Sequence, residues 1–325
     1  MVNRYMQPLR IAIQWAYLLF ILWIGWRFYQ FVLHFRSGGM TPTVPRPEAV
    51  EGFLPIIALL GLRDWISSGS LNPLHPAAVV ILLSIVLVSL LLRRSFCSWI
   101  CPVGTVSEQL WKRGFSLLRR NLRPPRWLDI ILRSPKYLLL AFFVYFIFFA
   151  MSASQVRAFL LDDYSMIADS RLLDFFLTLS GTPLVVILAL LLLSLPMKNP
   201  FCRFLCPYGA LLGLVALFSP AKVTRKKEIC VSCGVCNQVC PTYIPVMSLS
   251  RVHSSECIGC WRCISHCRAD GALSMSLPGR KIAIPGIVFA LLVVLLFWLG
   301  PQVGKLAGAW HTAITAADYA RLLGR

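Results

Sequence analysis

Apolar positions in this chain come in unbroken runs instead of alternating with polar ones, at residues 11–33, 76–92, 137–151, 183–195 and 282–299. A run with no polar phase cannot lie half in water, so each predicts a helix that is apolar on all sides. A hydrocarbon core ~30 Å thick takes about 17 to 20 helical residues. The pattern therefore predicts five transmembrane helices, of which the third and fourth are the least secure on length. The first run lacks a small-residue cleavage site and is too long for a signal-peptide core, which makes it a retained anchor.

Charge then orients the spans. The chain of 325 residues is 58% hydrophobic yet carries a formal charge of +19, a pairing that a soluble globule of this size would not show. Segments 1–10, 93–136 and 197–281 hold 23 of the 32 basic residues and five acidic ones, whereas the intervening segments hold eight of each and Arg27, inside the first run, is the remaining base. Short loops rich in Lys and Arg stay on the cytoplasmic side. This predicts a multi-pass protein of a bacterial inner membrane, N-terminus inside and C-terminus in the periplasm. All twelve cysteines fall in the basic segments, hence in a reducing compartment that keeps thiols free for metal. Topology and anionic lipid account for the positive charge, so nucleic-acid binding is not inferred from it.

Eight of the cysteines form two runs with spacing C-x2-C-x2-C-x3-C: Cys230, Cys233, Cys236, Cys240 and Cys257, Cys260, Cys263, Cys267. That is the ligand pattern of a two-cluster [4Fe-4S] ferredoxin, in which the fourth cysteine of each run serves the neighbouring cluster. Cys230, Cys233, Cys236 and Cys267 are thus expected to hold one cluster, and Cys257, Cys260, Cys263 and Cys240 the other. Pro241 follows the first run as the pattern expects, while Arg268 stands at the corresponding place in the second. Zinc is the competing ligand, but zinc sites seldom use four cysteines per run, twice, with the x3 step in the same place.

The remaining cysteines lie in matching segments, RRSFCSWICPVGTV at 93–106 and KNPFCRFLCPYGAL at 198–211, which share F-C-x3-C-P-x-G. Each follows an even-numbered run, suggesting a duplicated unit of two helices and a motif about an axis along the membrane normal. Pro102 and Pro207 suit the first turn of a helix. Cys101 and Cys206 then sit at helix N-termini, where the macrodipole and Arg93, Arg94, Lys198 and Arg203 are expected to favour thiolate. Gly104 and Gly209 allow close backbone approach. Cys97, Cys101, Cys202 and Cys206 form either a third metal or iron–sulfur centre or a set of redox-active thiols. Pro124, Pro125 and Pro135 predict broken helices in the loop after the first motif.

With its two CxxxCP motifs, Cys97/Cys101/Pro102 and Cys202/Cys206/Pro207, followed by the double ferredoxin run, the chain resembles the membrane polyferredoxin family that includes NapH, the C-terminal region of NosR and the CcoG-like proteins. The segment RPEAVEGFLPIIALLGLRDW after the first run is also similar to that family. The resemblance covers about residues 10–280. It implies membrane-bound electron transfer, with a quinol or a cytoplasmic protein as donor and a membrane or periplasmic oxidoreductase as acceptor. The CcoG likeness implies the alternative, an assembly factor that reduces copper or iron for another enzyme. The chain lacks the long soluble domains of NosR and CcoG, and without a C-x2-C-H it has no covalent c-type haem.

The expected architecture is an α-helical polytopic membrane protein of about five transmembrane helices with an inserted α+β two-cluster ferredoxin-like module. Residues 1–221 form a four-helix membrane domain, 222–279 the cytoplasmic module, and 280–325 a fifth helix with a short outer tail. In the first outer loop, Glu51 and His75 are candidates for a quinol site, which needs a proton acceptor near an apolar slot. The second, with Asp162, Asp163, Asp169 and Asp174, is expected to be a solvated acidic loop.

Overall fold

The structure, a computed structural model, describes residues 5–178, 181–278 and 282–324. It is mostly helical, with one two-stranded sheet. Among the described residues three helices are long and apolar enough to cross a membrane: Met6–Arg36, Trp127–Ala150 and Gly286–Leu306. Two other predicted spans are shorter apolar helices, Pro76–Leu92 with 17 residues and Thr182–Leu193 with 12. Large side chains on the long helices, among them Leu22, Trp23, Trp26 and Trp298, face outward and are exposed. Such a surface suits lipid and would be costly in water, and the chain is a membrane protein. Met1–Arg4 and the expected boundary between module and last helix at 279/280 lie outside the described residues.

One expected break is absent. Pro135 sits inside the helix Arg126–Tyr145 without ending it. Proline removes the N–H that would have bonded the carbonyl four residues back. Here the Ser134 hydroxyl donates to that carbonyl, on Ile131, at 2.7 Å. Further along, Phe146–Ala150 widens into a π-turn, and the Arg63 guanidinium donates to the carbonyls of Ile147 and Met151. Backbone groups left over by an irregular helix are thus taken up by side chains, as a low-dielectric setting requires.

The chain forms two compact units. The first comprises 1–18, 85–140 and 186–297 and contains all twelve cysteines; the second comprises 19–84, 141–185 and 298–325. In the first unit, strands Lys222–Arg225 and Leu273–Ser276 pair antiparallel, with Val223 opposite Met275, and close the segment that carries both cysteine runs. Its core is continuous: Val223, Trp261, Ile264 and Met275 share one buried cluster with Trp99, Ile100, Phe289 and Val293. The second unit has two apolar clusters, one around Phe28, Phe31, Val32, Ile314 and Tyr319, the other around Leu54, Ile57, Leu60, Ile147 and Val156.

Candidate metal centre

The two cysteine runs fold alike. In each, the residues two and four positions after the first cysteine take left-handed backbone: Ser232 (φ 51°) and Gly234 (φ 72°), then Gly259 (φ 57°) and Trp261 (φ 60°). Each left-handed residue turns the chain back, so cysteines three apart converge on one point instead of spreading around a helix. For Trp261 that conformation costs ~1–2 kcal/mol. Burial offsets it, because the indole packs on Phe289 at 5.4 Å between centroids, and Phe289 in turn packs on Trp99 at 5.8 Å.

Cys230, Cys233, Cys236 and Cys267 line one cavity, and Cys240, Cys257, Cys260 and Cys263 line a second. The fourth cysteine of each run has crossed to the other site. Cys263 lies near enough to Cys236 to feel its charge, so the cavities adjoin. Their surroundings differ. Cys233 in the first is exposed, whereas the second is walled by Val223, Ile244, Val246, Val252, Ile258 and Trp261, and Cys240 and Cys260 are buried. Burial pushes the Cys260 thiol up to about 11 against the pull of Arg10. Among the described residues no three His, Cys, Asp or Glu side chains stand close enough to hold a single ion. Two all-thiolate sets of four in ferredoxin order fit iron–sulfur clusters.

The duplicated motif is duplicated in three dimensions. A short helical turn, Phe96–Trp99 in one copy and the π-turn Phe201–Leu205 in the other, delivers the first cysteine. The amides of Cys101 and Cys206 then donate back to the carbonyls of Phe96 and Phe201, both at 3.0 Å. Both cysteines are extended and precede a proline that opens a helix, Pro102–Leu118 or Pro207–Val215. A Cβ on Gly104 would collide with the Cys97 carbonyl, and one on Gly209 would come within 3.3 Å of the Cys202 carbonyl. Cys97, Cys101, Cys202 and Cys206 gather in one group, each of the first three feeling the charge of at least one of the others.

The electrostatics of this group differ from expectation. Burial pushes the Cys101 thiol up to about 12, with repulsion from Cys97 adding to it. Burial likewise raises Cys97 and lifts Cys202 well above the ordinary thiol value. A helix terminus supplies only ~0.3–1 kcal/mol, too little to offset desolvation of clustered sulfurs. Of the four cations expected nearby, only Arg94 faces the motif cysteines, and it is buried, donating to the Gly209 carbonyl at 3.0 Å. Arg93 instead donates to the carbonyls of Ala216 and Ser254, Lys198 to that of Gln238, and Arg203 pairs with Asp129 at 2.5 Å.

Buried polar and charged groups, most of which the sequence did not single out, tie this group to the second cavity. Ser98 donates its hydroxyl to the Ile258 carbonyl at 2.5 Å, and Trp99 its indole N–H to the Gly259 carbonyl at 3.1 Å. Those carbonyls lie between Cys257 and Cys260. Glu256, the residue before Cys257, pairs with Lys136 at 2.5 Å and with Arg94 at 3.9 Å. Glu108, two turns into the helix after the first motif, pairs with Arg10, Lys112 and with Arg262, which stands between Cys260 and Cys263. Spacing gave no signal for these; only an acid in a segment otherwise rich in bases hinted at a partner.

In the second unit, Glu51 and His75 are brought together and buried, with His75 Nδ1 3.2 Å from Glu51 Oε1 and Nε2 2.8 Å from the Ser165 carbonyl. The other Glu51 oxygen accepts the Ala78 amide at the start of helix Pro76–Leu92. Arg46 bridges Glu51 at 3.0 Å and Asp169 at 2.7 Å. The expectation of a solvated acidic loop therefore fails for Asp169, which is buried because Arg46 is there to pair with it. Asp163 does remain at the surface, where it meets Arg321.

A helical membrane protein whose cysteines line up in ferredoxin order belongs, by fold and donor set, to the ferredoxin-type electron carriers. The comparisons agree. A 4Fe-4S binding domain matches residues 74–125 and 179–226, the segments that hold the two CxxxCP motifs, and a 4Fe-4S dicluster domain matches 222–268. The chain is 39% identical to YccM of Escherichia coli (strain K12), a candidate electron transport protein, over 97% of this chain and 89% of that one. It is 28% identical to the ferredoxin-type protein NapH of the same organism over 60% of this chain and 68% of NapH. With the methylamine utilization ferredoxin-type protein MauN of Paracoccus denitrificans (strain Pd 1222) it shares 29% identity over 57% of this chain and 63% of MauN. No solved structure matches. The chain is a member of the NapH-like polyferredoxin family, and its role is iron–sulfur electron transfer.

Proposed function

We propose that this protein relays single electrons between a redox donor and a membrane or periplasmic oxidoreductase, using three four-cysteine sites. Cys230, Cys233, Cys236 and Cys267 would hold one [4Fe-4S] cluster, Cys240, Cys257, Cys260 and Cys263 a second, and Cys97, Cys101, Cys202 and Cys206 a third. When bound, such clusters supply one-electron storage at potentials set by burial, hydrogen bonding and nearby charge. The protein part of the work is placement.

The observation that carries this reading is the succession of the three cysteine sets within one compact unit. The middle set adjoins the exposed set through Cys236 and Cys263. It meets the motif set through the Ser98 and Trp99 bonds to the 258–259 backbone. The match of a 4Fe-4S binding domain to both motif segments supports metal over free thiols for the third set. We infer five spans, the two shorter apolar helices included, with 222–279 as a cytoplasmic module and residues 1–221 and 280–325 as membrane domain and last span, on the positive-inside bias. A quinol donor would be served by the buried Glu51 and His75 pair as proton acceptor.

The test is anaerobic purification with iron and sulfide analysis and EPR, comparing wild type with Cys101→Ser and Cys206→Ser. Twelve irons falling to eight in the variants is expected. Eight irons in wild type, unchanged by the substitutions, would limit the protein to two clusters.

A further inference from the structure

The exposed cysteine set has the anatomy of a docking site. Cys233 is the only exposed member of the described cysteines, and Val231 beside it is 63% exposed while lining the same cavity. Ile229 is exposed as well. Around this small apolar collar stand Arg225, Lys226, Lys227 and Arg268, against Glu228 and Asp270, so cations outnumber anions by four to two. Among the described residues the other two sets differ: the middle one is enclosed by aliphatic side chains and the motif set has no exposed cysteine.

Transient redox encounters bury little area, at the low end of interface sizes. They rely on long-range charge to raise the encounter rate and on a few apolar contacts to bring the cofactor edge close. We propose that the surface formed by Lys226, Lys227, Ile229, Val231 and Arg268 around Cys233 docks an acidic, soluble one-electron carrier protein of the ferredoxin or flavodoxin kind. This rests on the relay reading above and names the partner at its open end. Anionic lipid would also attract the lysines. Lipid could take up exposed aliphatics as well, but the collar and the cations surround the one exposed cysteine among those described, at the mouth of a cysteine-lined cavity, and that placement favours a redox protein.

The experiment uses the full chain, purified anaerobically in neutral-lipid nanodiscs, with an acidic flavodoxin and an acidic [2Fe-2S] ferredoxin as probes. Binding and the rate of electron entry from each reduced probe are measured at low and high salt for wild type, Lys226→Glu/Lys227→Glu and Val231→Ser. Dithionite serves as a small reductant that needs no docking. We expect salt-sensitive binding of the probes, weakened on the order of tenfold by the double charge reversal, and slower entry in Val231→Ser. Iron content, EPR spectra and reduction by dithionite stay as in wild type. Iron-replete protein that binds neither probe, or binds both with no response to salt or to the reversal, would overturn the docking site and leave the relay standing. A charge reversal that abolishes binding to anionic vesicles but not to the probes assigns the lysines to lipid and likewise overturns it. Iron-free protein from anaerobic preparations would remove the relay itself.

Discussion

Arg10 and Glu108 meet in a two-pronged buried ion pair, Nη2 to Oε1 at 2.5 Å and Nη1 to Oε2 at 2.7 Å. The same guanidinium donates to the Ser98 carbonyl, one residue from Cys97, and the same carboxylate accepts from Arg262, between two cysteines of the second run. One acid thus holds together three parts of the chain far apart in sequence. Its loss would leave Arg10 buried and unpaired, which costs about 3–5 kcal/mol. Glu108→Ala is expected to lower the thermal midpoint sharply in detergent, read by circular dichroism, and Glu108→Gln, which keeps an acceptor, to lower it less.

The pair also sets an acid limit. Burial alone would raise the Glu108 carboxyl, but Arg10 and then Lys112 outweigh it and hold the group well below the ordinary carboxylate range. A carboxylate depressed in the folded state contributes stability above its unfolded value, about 4.3. That contribution is lost as pH falls below it toward the folded value. Wild type is expected to lose stability more steeply than Glu108→Gln as pH falls below about 4.3, and parallel curves from urea titrations at several pH values would contradict this.

The two copies of the CxxxCP motif should respond unequally to one added methyl. At Gly104 the new Cβ strikes the rigid Cys97 carbonyl, whereas at Gly209 the nearest atom is 3.3 Å away and a small shift accommodates it. Gly104→Ala should lose metal from the motif set, and Gly209→Ala should keep most of it. Iron per protein measures both.

Among the described residues Arg46 is the one cation paired with both Glu51 and Asp169. Replacing it by Met strands two buried acids, again at about 3–5 kcal/mol. The expected sign of failure is local: faster hydrogen exchange at the start of helix Pro76–Leu92, where Glu51 accepts the Ala78 amide, ahead of exchange around the cysteine runs.

Much of this arrangement was legible in the chain. The eight cysteines line two cavities in fours because left-handed residues recur at fixed offsets in each run, a repeat visible in the spacing. Proline after Cys101 and Cys206 foretold helix starts for the same local reason. What stayed hidden were the pairings decided by tertiary context. Arg93, Lys198 and Arg203 lie beside the motif cysteines in sequence yet turn to other partners, and Glu108 and Glu256 looked like stray acids. Pro135 misled because the rescue by Ser134 depends on a rotamer, and the fate of Asp169 depended on Arg46, more than a hundred residues away.

Trp99, Phe289 and Trp261 form a continuous aromatic seam between a motif, a long helix and a cysteine run. A module stitched down in this way cannot swing toward its customers as a tethered arm would. On the docking proposed above, throughput would depend on how often a mobile courier arrives at a fixed counter, and turnover in the cell would track the abundance of that courier more than any motion within the protein.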